Sequence, residues 1–201
     1  MECLDPLEKF LHDIPERTPL LLKAAMAHAQ FETIHPFLDG NGRLGRLLIT
    51  LLLCAEGALR EPILYLSVYL RQNRDDYFDH LQRIRSHGDW EGWLRFFFEG
   101  VLQTAGNAVD TARLTLETFA RDRERIQALG RSAGSALRVH RALQEHPILT
   151  IKAASERTGL AEPTVNSSFD RLERLGIVAE VTGRKRDRLY SYAPYIALLV
   201  D

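Results

Sequence analysis

The chain has 201 residues, 45% of them hydrophobic, with 26 basic and 27 acidic side chains and a formal net charge of -1. That length accommodates a medium domain plus a small one, with enough apolar content for real cores, and the charge balance excludes a global field drawing the protein to nucleic acid or a membrane surface. Two cysteines, Cys3 and Cys54, exclude a disulfide framework and suit a reducing, cytoplasmic compartment.

The N-terminal stretch MECLDPLEKFLHD has no basic segment followed by an apolar run, so no secretory signal is expected. Asp5-Pro6 reads as an N-cap with proline in the first turn, opening a helix with Leu7, Phe10, Leu11 and Ile14 that ends near Pro15. A second helix follows Thr18-Pro19, with Leu22, Ala25, Met26 and Ala29 on one stripe, and stops where His35-Pro36 forces extended backbone. Helix is expected again from about Arg43 to Gly57, a C-terminal glycine. Its run Leu47 to Ala55 is the longest apolar one in the chain, well short of the roughly 18 to 20 residues a bilayer span needs. Pro62 to Tyr69 leads into helices carrying Phe78, Leu81 and Ile84, then Trp90, Trp93, Phe96, Phe97 and Phe98, with a break at Gly88-Asp89. From about Thr111 to Arg131 the pattern becomes charged, as in a solvated helix bridging two units, and Gly130 to Gly134 reads as the boundary. Beyond it, helices are expected over Leu137–Leu143, Ile151–Arg157 (capped by Thr150) and Thr164–Leu175. A hairpin of Ile177–Val181 and Leu189–Tyr192 follows, tipped by Gly183 to Asp187.

Residues 35–46, HPFLDGNGRLGR, place a titratable base, a carboxylate, a glycine-rich turn and two guanidiniums within one short segment. Gly40 and Gly42 free the backbone around Asn41, so successive amides can converge on an anion, and a helix starting at Arg43 adds unpaired amides and the positive end of its dipole. Arg43 and Arg46, flanking Leu44 and Gly45, are cations at a helix N-terminus, where each opposes the dipole by roughly 0.3 to 1 kcal/mol. A bound polyanion reverses that penalty. Asp39 is placed to hold Mg2+, a hard cation that takes one or two carboxylates plus phosphate oxygens. An imidazole such as His35 can accept a proton at working pH. Alone, a histidine before proline is a loop residue and Gly-Asn-Gly a turn; their conjunction with two misplaced cations points to a phosphate site.

The segment resembles the signature of the Fic family, H-x-F-x-[D/E]-G-N-G-R-x-x-R, at every fixed position, and the flanking AHAQFETI and LLITLLL and the later LYLSVYLRQNRDDYFDHL are similar to its core helices. The resemblance covers roughly residues 5 to 110. It implies a protein AMP transferase using ATP and Mg2+ to modify a hydroxyl-bearing side chain of a target protein. His35 then deprotonates the attacking hydroxyl and Asp39 binds Mg2+. The segment Gly40, Asn41, Gly42, Arg43, Leu44, Gly45 and Arg46 holds the nucleotide's phosphates, and Phe37 anchors the loop in the core. Tyr77 is a candidate for the base pocket, with ordinary helix packing as the alternative. A family branch that transfers phosphate departs from Gly-Asn-Gly, which is intact here. Family members also carry an upstream β-hairpin flap that docks the target, for which this sequence begins too late; a missing N-terminal helix is expected to leave apolar surface exposed. An inhibitory pattern [S/T]-x-x-x-E-[G/N] finds no match, since Glu56, Glu91 and Glu99 are preceded four residues earlier by Leu52, His87 and Arg95. ATP binding without self-inhibition is therefore expected.

The fold expected overall is mainly α, a Fic-type core over 1–110, a linker helix over 111–134 and a small winged-helix (α+β) domain over 135–201. In that last domain Leu160 to Leu172 resembles the turn and recognition helix of a helix-turn-helix. Asn166, Ser167, Arg171 and Arg174 could address DNA, with Arg184, Lys185, Arg186 and Arg188 on the wing touching phosphates. Asp170, Glu173, Glu180 and Asp187 dilute that charge, so DNA binding through 160–188 stands beside a protein-docking or homodimer role. Two other readings stay open: a nucleotide-sensing DNA-binding regulator, and an ATP-binding fragment without target docking. No membrane partner is expected.

Overall fold

The structure, a computed structural model, describes residues 4–14, 16–60, 65–184 and 186–200. Expectations resting on Cys3, Pro15, Pro62 and Lys185 fall outside those residues. The chain divides into two compact units, Met1–Ala108 and Val109–Asp201.

The first unit is built from α1 (Leu4–Leu11), α2 (Leu20–Ile34), α3 (Asn41–Ala55), α4 (Leu66–Gln72), α5 (Arg74–His87) and the first half of α6 (Trp90–Gln127). Ala24, Ala25 and Ala29 are buried on α2, and side chains this small let neighbouring helices approach closely. Around them pack Ile49 and Leu53 from α3, Leu66 and Leu70 from α4, Tyr77 and Leu81 from α5, and Trp93 and Phe97 from α6. Trp93 is fully buried and satisfies its indole N–H by donating to the Ala25 carbonyl at 3.0 Å. A buried ammonium adds a second tie: Lys23 Nζ lies 2.8 Å from Asp13 and 3.2 Å from Glu56, joining the turn before α2 to the end of α3. The hydrogen bond to Asp13 holds the Lys23 pKa above its ordinary value and, reciprocally, holds that of Asp13 below its own. These ties fix α2, which ends immediately before the motif loop.

The second unit contains the rest of α6, a 3-10 turn (Gly130–Ser132), α7 (Ala133–Glu145), β1 (Ile148–Thr150), α8 (Ile151–Thr158), α9 (Glu162–Arg174), β2 (Ala179–Glu180), β3 (Leu189–Ser191) and α10 (Ala193–Val200). The sheet order is β1-β3-β2, all antiparallel, with Leu149 opposite Tyr190 and Glu180 opposite Tyr190 on the other edge. Thr150 caps α8 by accepting from the Ala153 amide at 3.1 Å, as its position before the helix predicts.

Two features depart from expectation. The segment 111–131 is largely exposed, but one stripe of it, Thr118, Asp122 and Ile126, is buried, and Ile126 packs in one core with Val139, Leu143, Phe169 and Tyr192. Its charged sequence hides this, because Asp122 is buried as a hydrogen-bonded partner of Tyr192, whose hydroxyl donates to it at 2.9 Å. β1 and α10 are additional elements. A three-residue strand carries no readable period, and β1 exists through its pairing with β3.

Candidate functional site

The motif loop sits between α2 and α3. His35 ends α2 in the left-handed region (φ 49°), an uncommon conformation for a side chain with a Cβ, and Gly40 (φ 83°) opens α3 from the same region. Between these two turns Asn41 acts as the clamp. Its side chain is buried, its Oδ1 accepts from the Phe37 amide at 2.9 Å, and its Nδ2 donates to the Phe37 carbonyl at 2.6 Å. The remaining amide hydrogen points at His35 Nδ1, 3.2 Å away. With its carbonyl committed to Phe37, Asn41 can only donate to His35, so a neutral ring carries its hydrogen on Nε2 and its lone pair on Nδ1.

Four expectations about this loop are corrected. His35 stands in the left-handed region rather than in the extended backbone expected before Pro36. α3 begins at Asn41, two residues earlier than the charge pattern suggests, because Gly40 takes the capping position and its carbonyl accepts from Leu44 at 3.0 Å. The amides of Asn41, Gly42 and Arg43 therefore precede the first helical hydrogen bond. Gly42 has no left-handed conformation; it lies inside α3, and its use is space. A Cβ there would stand 3.3 Å from Arg46 Nη1 and 3.8 Å from Glu32 Oε1. Phe37 does not anchor the loop from the core: its side chain is 51% exposed and only tilts against Phe31, while Asn41 holds its backbone.

Asp39 and Arg43 are both exposed and form an i,i+4 pair at 3.5 Å, an interaction of about 0.2 to 1 kcal/mol at most in water. Both remain available to a ligand. Leu44 is exposed, whereas Gly45 is buried against α2. A Cβ on Gly45 would come within 2.5 Å of Glu32 Oε1 and 3.2 Å of the His28 ring, so a larger residue here would push those two side chains aside. Among the described residues no group of three or more His, Cys, Asp or Glu side chains could hold a metal. A single exposed carboxylate still fits Mg2+, which takes the rest of its shell from phosphate and water.

Tyr77 belongs to the core. It is 3% exposed, its hydroxyl lies 2.9 Å from His28 Nε2, and its ring tilts against Trp93, leaving no face for a base to stack on. Burial raises its pKa. His28 and Glu32 were not singled out by the motif, although the spacing 28, 32, 35 puts them on one α2 face with His35. His28 is fully buried, and burial pulls its pKa down to about 4, so the ring is neutral near pH 7.

In the second unit the candidate DNA-reading residues are partly engaged with each other. Arg188 donates to Asn166 and lies 5.3 Å from the Tyr190 ring centroid, and Arg174 Nε donates to the Asp170 carbonyl at 3.1 Å. Glu180 organises the wing by accepting from the Thr182 and Gly183 amides, each at 2.8 Å. Arg184 and Arg186 are exposed.

Comparison with known proteins gives the class. A family model described as Fic/DOC family matches residues 2–53, and one described as winged helix-turn-helix DNA-binding matches residues 135–179. The chain is 42% identical over 73 residues to the protein adenylyltransferase Fic of Aedes aegypti and of Culex quinquefasciatus, a stretch covering 36% of this chain and 13% of each relative. The Nematostella vectensis protein of that name is 39% identical over 74 residues, 16% of its length. A crystal structure of a Fic family protein from Desulfovibrio desulfuricans G20 matches 95% of this chain and 54% of that one, with TM-score 0.51 and 23% identity, a likeness of fold. The chain thus carries a Fic/DOC segment at its N-terminus and a winged helix-turn-helix after it, in a mainly helical fold, while spanning about half of that structure and far less of the curated relatives.

Proposed function

We propose that the first unit is a protein AMP transferase that uses Mg-ATP to modify a hydroxyl of a target protein. The observation that carries this reading is the Asn41 clamp, which sets His35 at one end of a loop whose other end presents the free amides of α3 and two arginines.

In this reading the polyphosphate lies over the Gly40–Arg43 turn, where backbone amides and the helix dipole favour anions, with Arg43 and Arg46 neutralising its charge. Asp39 would hold Mg2+ together with phosphate oxygens, and the ion would supply charge stabilisation on the phosphates. The target hydroxyl attacks the α-phosphorus, the new oxygen–phosphorus bond forms as the bond to the β-phosphate breaks, and pyrophosphate leaves. The hydroxyl proton passes to the His35 imidazole as the bond to phosphorus forms. Most of the acceleration then comes from positioning and from charge stabilisation, with the base adding to it. Calorimetry with ATP and Mg2+ tests the binding half: saturable binding is expected, reduced at least tenfold in Arg46→Ala, and no binding by the wild type would refute the reading.

A second activity is favoured by the match of residues 135–179 to a DNA-binding winged helix. We propose that α9 and the wing dock on DNA through Arg171, Arg184 and Arg186. The expected mark is a gel-shift affinity that falls steeply with salt; an affinity indifferent to salt would assign the module to protein docking.

A further inference from the structure

We propose that Glu32 is a positioning residue for Arg46: its buried carboxylate, beneath the loop, holds the guanidinium at the first turn of α3 where a polyphosphate is to bind. This rests on the reading of that turn as an anion site.

Glu32 is 7% exposed, and its Oε1 has no hydrogen-bond partner among the described residues. A buried carboxylate in that state is costly and calls for a reason. The glycines show where it points. Side-chain positions left empty at Gly42 and Gly45 both face Oε1, and Arg46 Nη1 borders the same empty position at Gly42. The two charges therefore flank one gap that any larger residue at 42 would fill.

The groups facing Glu32 are few. From α2 come His28, neutral through burial, and His35; from α3 comes Arg46; from α5 come Tyr77 and Arg85. Arg85 is occupied elsewhere, its Nη2 donating to the Glu32 main-chain carbonyl at 2.9 Å and its Nε to Thr33 Oγ1 at 3.4 Å. Arg46 is the cation that remains for the carboxylate, and it faces Oε1 across the gap at Gly42 without direct contact. A guanidinium beside the N-terminal turn opposes the helix dipole and would otherwise drift into solvent. A fixed negative charge behind the turn keeps it there, so that less side-chain freedom is lost when the anion arrives.

This arrangement opposes stability. Burial is the largest influence on Glu32 and raises its pKa, with Arg46, His35 and Arg85 pulling in the other direction. A carboxyl whose folded pKa is raised binds more protons folded than unfolded, so its contribution falls as pH rises through the window between the ordinary carboxylate value and the raised one. At neutral pH the ionised form weighs against folding. A residue kept merely for structure would act in the opposite sense, and the substitution Glu32→Gln separates the two.

Wild type and E32Q would be compared in three ways: melting temperature at pH 5 and 7.5, calorimetric affinity for inorganic pyrophosphate, and 15N relaxation of the Arg46 Nε–H signal with exposed Arg43 as internal control. The proposal expects E32Q to melt higher than wild type at pH 7.5, with a smaller gain at pH 5. It expects pyrophosphate to bind about fivefold more weakly, and Arg46 to become mobile while Arg43 is unchanged. A lower melting temperature, pyrophosphate affinity equal or tighter, or an unaltered Arg46 signal would overturn it. Should the wild type bind neither ATP nor pyrophosphate, the AMP-transfer reading fails, and the Arg46 relaxation and melting temperatures still decide the role of Glu32.

Discussion

His35→Ala is expected to reduce AMP transfer by about 100- to 10,000-fold, the range a positioned general base supplies, while ATP affinity changes less than threefold. The separation follows from the geometry. His35 lies at the α2 end of the loop, whereas the free amides, Gly40, Arg43 and Arg46 lie at the α3 end. Loss of the ring removes one contact of Asn41, the one at 3.2 Å, and leaves both hydrogen bonds to the Phe37 backbone that hold the loop shut. Kinetics with saturating ATP, paired with calorimetry of the same variant, would check this. Transfer persisting at the wild-type rate would remove His35 from the mechanism, and loss of ATP binding would make it a structural residue of the loop.

Asp122→Ala is expected to destabilise the second unit by about 3 kcal/mol, the scale for breaking a buried charged network by removing one partner. Asp122 has no exposed surface, and it accepts from the Tyr192 hydroxyl at 2.9 Å and from Arg125 at 3.1 Å. Tyr192 in turn lies 3.0 Å from His140 Nε2, whose Nδ1 faces Gln144 at 3.4 Å. Asp122 thus anchors a chain that runs through Tyr192 and His140 to Gln144, and burial lowers the His140 pKa and raises that of Tyr192. Arg121 and Arg125 are partly exposed and recover water when Asp122 is lost, so the cost falls mainly on Tyr192. Urea unfolding followed by a probe in the second unit would measure it; a change below 1 kcal/mol would show that the network is dispensable. Tyr192→Phe, which leaves the carboxylate two arginine partners, should cost about half as much.

The sequence carried the loop but not what lies beneath it. HPFLDGNGRLGR is legible because two arginines at a helix N-terminus are unfavourable there, and their conjunction with a glycine turn, a carboxylate and a histidine demands a joint explanation. Gly42 is legible as a requirement and misread as to cause: nothing in a linear pattern distinguishes a glycine chosen for its dihedral angles, as at Gly40, from one chosen for the space it leaves, as at Gly42 and Gly45. Glu32 and His28 lie on a largely apolar helix, and only the α2–α3 crossing turns them toward the motif. Tyr77 was drawn toward the site by its neighbourhood in the chain, yet α5 turns it inward onto His28.

The same limit governs the second unit. Its helices announce themselves through periodicity and the Thr150 cap, and the hairpin through β-branched and aromatic residues. The burial of Asp122 within a charged run could not be read, since the partner that satisfies it, Tyr192, is 70 residues away. Long-range polar pairs of this kind are set by tertiary packing and leave no local period.

Transfer of AMP, as opposed to transfer of phosphate or mere nucleotide sensing, is distinguished by label position. The purified chain would be incubated with Mg2+ and a cell lysate, in parallel with ATP labelled at the α-phosphate and ATP labelled at the γ-phosphate, each beside His35→Ala. AMP transfer gives protein-bound label from the α-position alone, lost in His35→Ala. Label from the γ-position, or no label from either under conditions where ATP binds, would contradict it.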